Sequence, residues 1–179
     1  SAPSAASRCA IAHAIDRLLA TPSTSACLPS NLPATRRSYG TLARDVAGER
    51  VAVVTGASSG IGEATVRLLA SRGWRCVLVA RRQELLRAIA DEIGGEVEIC
   101  DVADRQAVDA TAARVLERHP AVHLLVNNAG IPARGSFLTI DSERIEQVID
   151  VNYLGGVWCT RAFLPGLEAA RAACGTADV

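Results

Sequence analysis

From Arg50 onward the chain alternates short apolar runs with longer stretches of helical periodicity. Val51-Ala52-Val53-Val54 is apolar throughout, the pattern of a strand buried on both faces. Ile61 to Ser71 has the spacing of a helix, and Cys76-Val77-Leu78-Val79 is a second buried strand. Gln83 to Glu92 is helical and is stopped by Gly94-Gly95. Val97 to Cys100 reads as a third strand, and Asp104 to Glu117 as a helix with Asp104 as its N-cap. Val122 to Val126 reads as a fourth strand. A long helical pattern then runs from Asp141 or Ser142 to about Ala172, and Pro165 is expected to bend it. Strands alternating with helices of these lengths predict βαβ units in a parallel sheet. The fold class expected is therefore α/β: a Rossmann-like, doubly wound parallel sheet holding its first four strands and their helices. Ligands of such sheets bind beyond the carboxyl ends of the strands.

Residues 1–48 differ from this pattern. They are rich in Ala, Ser, Thr, Pro and Arg and poor in large apolar residues, and only Ile11 to Ala20 is briefly helical. They read as a disordered segment or as a leader, with organellar targeting as the alternative use. Residues 49–179 read as the folded domain. Over the whole chain 49% of residues are apolar and 21% charged, which suffices for a core. The formal net charge is zero, so no excess of positive charge points to nucleic acid. No apolar run approaches the length needed to span a bilayer. The six cysteines form no C-x-x-C pair, and the three histidines have no metal-ligand spacing, so no metal is expected. Cys76 and Cys100, inside strand-like runs, read as buried reduced thiols, from which a cytoplasmic setting is expected.

The chemistry lies just after the strands. Thr55-Gly56-Ala57-Ser58-Ser59-Gly60-Ile61-Gly62 joins the first strand to the first helix. Gly56 allows the sharp turn, Gly60 the close approach of a pyrophosphate, and Gly62 the close packing of helix on sheet. The helix start then offers free N–H groups and a positive dipole end to phosphate. The second strand ends in Ala80-Arg81-Arg82. A carboxylate near this point would bind a ribose 2′-hydroxyl. Arg81 and Arg82 instead offer planar donor forks suited to a 2′-phosphate, which favours NADP over NAD. A solvated arginine pair, free or bonded to Glu84, is the plainer alternative.

Together with Asp101-Val102, Asn127-Asn128-Ala129-Gly130 and Val151-Asn152-Tyr153-Leu154-Gly155, this glycine motif resembles the short-chain dehydrogenase/reductase family over about residues 48 to 179. The resemblance implies a cofactor loop of Gly56, Ser58, Ser59, Gly60, Ile61 and Gly62. It implies that Asp101 binds the adenine amino group with Val102 beside the ring, and that Asn128, Ala129 and Gly130 face the ribose. Asn152 would be the proton-relay asparagine, or a buried polar residue bonded within a kinked helix. The family's catalytic Ser and Tyr-x-x-x-Lys have no match here. All 19 basic residues are arginine, and Tyr153 is followed by Leu-Gly-Gly-Val. The chain is therefore expected to be the cofactor-binding half of an NADP(H)-dependent oxidoreductase acting on an alcohol or ketone. The alternative is a non-catalytic dinucleotide-binding sensor or partner subunit. The resemblance also implies a homo-oligomer contact on the helix 141–172, through Leu154, Val157, Trp158 and Phe163, although these residues fit equally a face packed on their own sheet. Arg81→Ala is expected to weaken NADPH binding more than NADH binding. Equal losses in a fluorescence titration would refute that role.

Overall fold

In the computed structural model, which describes residues 49–136 and 138–179, the backbone follows the alternation expected from the pattern. Strand β1 is Val51–Thr55, helix α1 Gly60–Ser71, β2 Arg75–Ala80 and α2 Gln83–Ile93. Strand β3 is Glu96–Ile99, α3 Arg105–Arg118 and β4 Leu124–Val126. Helix α4 is Ser142–Ile149, followed by a π-helical turn at Asp150–Leu154 and then α5, Gly155–Cys174. The reading of residues 1–48, including the helix at 11–20, lies outside the described residues.

All neighbouring strands pair in parallel, in the order β3-β2-β1-β4. The central β1 is buried along its whole length because its alternate side chains enter two different cores. Ala52 and Val54 pack with Val66 and Leu69 of α1 and Leu86 and Ile89 of α2. Val51 and Val53 pack on the other face with Val108 and Val115 of α3 and Phe163 and Leu167 of α5. This two-sided burial explains why β1 and β2 are apolar runs rather than alternating ones.

The two edges are built differently. Strand β3 points Glu98 inward, with only 6% of the residue exposed. Two arginines of α3 neutralise it: Arg114 at 2.8 Å and Arg118 at 2.7 Å. An inward-facing charge on a short edge strand also discourages pairing with another chain. At the other edge Asp178 forms a parallel bridge with Leu124, its N–H donating to the His123 carbonyl at 3.1 Å and its carbonyl accepting from Leu125 N–H at 3.0 Å. Asp178 thus extends the sheet by one bridge beside β4. The β4 ladder is shorter than the apolar run because Val122 gives its N–H to the Gly166 carbonyl of α5, at 3.0 Å, and not to the sheet.

The single long helix expected from 141 to 172 is interrupted, but not at Pro165, through which α5 continues. The break is the π turn, which accommodates an extra residue within the helical path. After it Gly155 lies so close to Val102 that an added Cβ would meet the valine Cγ2 at 2.8 Å. Phe163 faces its own sheet, whereas Val157 is exposed. Asp104 caps α3 as expected, accepting from Gln106 and Ala107 N–H at 2.9 and 3.2 Å.

The ends of β1 and β4 are joined by one hydroxyl. Thr55 is 2% exposed. Its Oγ1 donates to the Val126 carbonyl at 3.2 Å and accepts from Asn128 and Ala129 N–H, each at 3.0 Å. Thr55→Val would leave two backbone donors without this acceptor, and is expected to cost about 2 kcal/mol or more. Urea unfolding checks this, with Thr55→Ser, which keeps the hydroxyl, losing less. A Thr55→Val variant as stable as the parent would contradict the role.

A second junction ties the amino ends of the same strands. The Val51 N–H donates to His123 Nδ1 at 3.2 Å, which requires that nitrogen to be unprotonated. Burial, and then the nearby Arg50 charge, hold the imidazole below its ordinary value of 6.5. Below pH 6.5 the unfolded chain therefore binds more protons at this site than the folded chain, and stability falls as the pH falls. Urea midpoints measured between pH 7.5 and 5.5 should decline, and His123→Ala should flatten that decline. An unchanged slope in the variant would contradict it.

Candidate cofactor-binding site

A cleft of about 440 Å³ opens at the carboxyl ends of the strands, where the topology predicts ligand binding. Its lining includes Gly56, Ser58, Ser59 and Ile61 from the loop after β1, and Arg81 and Arg82 after β2. Asp101 and Val102 after β3, and Asn128, Ala129 and Gly130 after β4, complete the set brought together from the sequence. Gly60 stands between lining residues, and Gly62 lies beneath them.

The glycines fill distinct roles. Gly56 turns out of the strand with φ of +66°, and a Cβ there would meet Ala129 Cα at 2.8 Å and Asn128 Nδ2 at 2.9 Å. Gly62 brings α1 against the Gly56 carbonyl and the Asn128 amide so closely that a Cβ would collide with both. Gly60 has φ of +62°, and among the described residues nothing lies within 4 Å of where its Cβ would point. That open space lies beside the start of α1, where Ser59 is the N-cap and makes no side-chain capping bond. First-turn N–H groups, a positive dipole end and a loop without a Cβ at Gly60 fit a phosphate group.

Asn128 holds the glycine loop to β4. Its Nδ2 donates to the Thr55 carbonyl at 2.9 Å and to the Gly56 carbonyl at 3.3 Å. Thr55 is the residue that sequence reasoning passed over as a site member. Its signal was a hydroxyl at the last position of a fully buried strand, but its partners lie more than 70 residues away.

The two arginines divide their work. Arg81 is largely exposed and pairs with Asp101, Nη1 to Oδ2 at 3.3 Å. Its partner is therefore neither Glu84 nor solvent alone. Arg82 lies over the glycine loop, donating to Ser58 Oγ at 3.0 and 3.2 Å and to Ser59 Oγ at 2.5 Å. Asp101 also accepts from Ala103 N–H through its other oxygen, at 3.1 Å. With Asp104 capping α3, Asp101 keeps its place at the cleft wall. Cys100 lines the same wall, and burial pushes the pKa of its thiol up.

Asn152 does not line this cleft. It is exposed and sits in the π turn, beside a small cavity of about 20 Å³ shared with Thr55 and Asn127. Its amide bonds the Ile131 backbone twice, accepting from the N–H at 2.8 Å and donating to the carbonyl at 3.0 Å. The alternative of a buried residue bonded within its own helix is thus corrected: the π turn places Asn152 where it bonds across to the chain after β4. Ile131 and Val151 also line the cleft, Val151 being the first residue of the Val-Asn-Tyr-Leu-Gly motif.

Comparison with known proteins agrees with this geometry. Residues 50–175 match the short chain dehydrogenase family. An uncharacterized oxidoreductase of Mycobacterium tuberculosis is 50% identical over 119 residues, covering 66% of this chain and 46% of that protein. Dehydrogenase/reductase SDR family member 7B of Danio rerio is 32% identical over 130 residues, 66% of this chain and 42% of its own length. The chain thus spans less than half the length of these curated relatives. Among solved structures, an alcohol dehydrogenase of the archaeon Thermococcus sibiricus complexed with 5-hydroxy-NADP superposes with a TM-score of 0.66 at 37% identity, covering 69% of this chain and 55% of that one. A metagenomic short-chain oxidoreductase in complex with NADP gives 0.64 at 44% identity, covering 68% and 58%. The chain belongs to the short-chain dehydrogenase family of oxidoreductases.

Proposed function

We propose that these residues form the NADP(H) site of an oxidoreductase that moves a hydride between the nicotinamide and an alcohol or carbonyl substrate. The observation that carries the cofactor choice is the end of β2, where Ala80, Arg81 and Arg82 bring two guanidinium groups and no carboxylate to the cleft. A 2′-phosphate there would meet the Arg82 fork and the two serine hydroxyls it already bonds, a donor set suited to a dianion. Binding would compete with the Arg81–Asp101 pair, which is exposed and therefore weak. That two similar structures hold NADP or 5-hydroxy-NADP supports the same choice.

The chain's own residues account for binding and orientation. The α1 start and the glycine loop would hold the diphosphate, and Asp101 with Val102 the adenine. Asn128, Ala129 and Gly130 would fix the ribose on the β4 side. Once bound, the nicotinamide supplies or accepts the hydride. The proton that must accompany it needs a positioned acid, and the family's Tyr-x-x-x-Lys is not among these 179 residues. The same reading extends to assembly. Ile145, Ile149, Tyr153 and Val157 stand exposed along α4, the π turn and α5, which supports this face as a contact between copies.

Binding titrations test the cofactor choice. The parent chain is expected to prefer NADPH to NADH. Arg82→Ala should weaken NADPH about tenfold by removing charge-assisted donors, and change NADH by less than about twofold. Equal affinities in the parent, or equal losses in the variant, would contradict the proposal.

A further inference from the structure

Helix α4 begins with a charge in the wrong place. Asp141 is its N-cap, so Arg144 occupies the first turn, where the positive dipole end disfavours a cation. The side chain bridges the helix and the chain after β4. Its Nη2 donates to the Pro132 carbonyl at 2.7 Å, while Nη1 donates to Gln147 Oε1 at 3.2 Å. The bond to Pro132 is short and charge-assisted.

Its target adjoins the cleft. Ile131 lines the wall on the β4 side, and Pro132 follows it in a stretch without regular structure. Two successive residues are therefore clamped by side chains from two places on the helical segment. Asn152 takes both backbone groups of Ile131, and Arg144, about two turns earlier, takes the carbonyl of Pro132. Asn152 alone would leave the segment free to pivot about Ile131. Arg144 supplies the second anchor.

The position of this wall decides which part of a ligand it would touch. If the 2′-phosphate lies at the end of β2, the wall after β4 is two strand spacings away across β1, about 10 Å. It faces the far half of the dinucleotide, not the adenosine. We propose that Arg144 is a positioning residue: by fixing Pro132 and hence Ile131, it shapes the nicotinamide end of the cleft. This inference rests on the NADP(H) reading above, and its test separates the two.

The full chain and its Arg144→Ala and Arg144→Lys variants would be titrated with NADPH and with adenosine 2′,5′-bisphosphate. The latter carries only the adenosine end. Arg144→Ala is expected to weaken NADPH about fivefold through loss of the charge-assisted hydrogen bond to Pro132, and to leave the bisphosphate within about twofold. The emission of bound NADPH, which reports the surroundings of its nicotinamide, should shift toward that of free NADPH. Arg144→Lys, which keeps a charged donor, should restore part of both signals. Unchanged NADPH affinity and emission in Arg144→Ala would overturn the inference, as would equal weakening of both ligands. If the parent chain bound neither ligand, the NADP(H) reading itself would fall, and this inference with it.

Discussion

The structure depends on the close approach of β1, β4 and α1 at one corner of the sheet. The Thr55 hydroxyl saturates its bonding there, donating once and accepting twice. The Asn128 amide ties the first turn of the glycine loop to the same point. Only glycine at 56 and 62 lets the three backbones come this near. The packing leaves the α1 N–H groups facing the cleft beside Gly60. The proposed phosphate site is thus a consequence of how the strands are fastened, and the same residues would serve both stability and binding.

Around that corner the cleft is polarised by position in the sheet. The β2 and β3 side carries charge, with Arg81, Arg82 and Asp101. The β4 side carries small residues and backbone, with Ala129, Gly130 and Ile131. The cleft thus has a charged side at β2 and β3 and a neutral wall at β4. The helical segment beyond β4 has a separate task. Its π turn aims Asn152 at Ile131, and Gly155 then seats α5 on Val102.

Much of this was legible in the sequence, for physical reasons that also mark where legibility stops. Strands β1 and β2 announce themselves because burial on both faces demands continuous apolar runs. The glycine motif is legible because steric exclusion acts within a few residues. The Asp104 cap is equally local. The division between Arg81 and Arg82 was not legible, because adjacent side chains leave the strand end in different directions and their partners, Asp101 and Ser58, come from other loops. The π turn has no periodic signature, so residues 141–172 read as one helix with a bend at Pro165. Glu98 reads as an ordinary polar strand residue, and only the arrival of Arg114 and Arg118 from α3 makes its burial tolerable.

The central claim is that the carboxyl ends of the four strands form one dinucleotide site. Amide chemical-shift mapping of the chain during titration with NADPH tests it most directly. The account predicts saturable shifts concentrated at 56–62, 81–82, 101–102 and 128–131, with the amino ends of the strands around Val51 and His123 unmoved. The absence of saturable shifts, or shifts centred on that opposite end of the sheet, would contradict it.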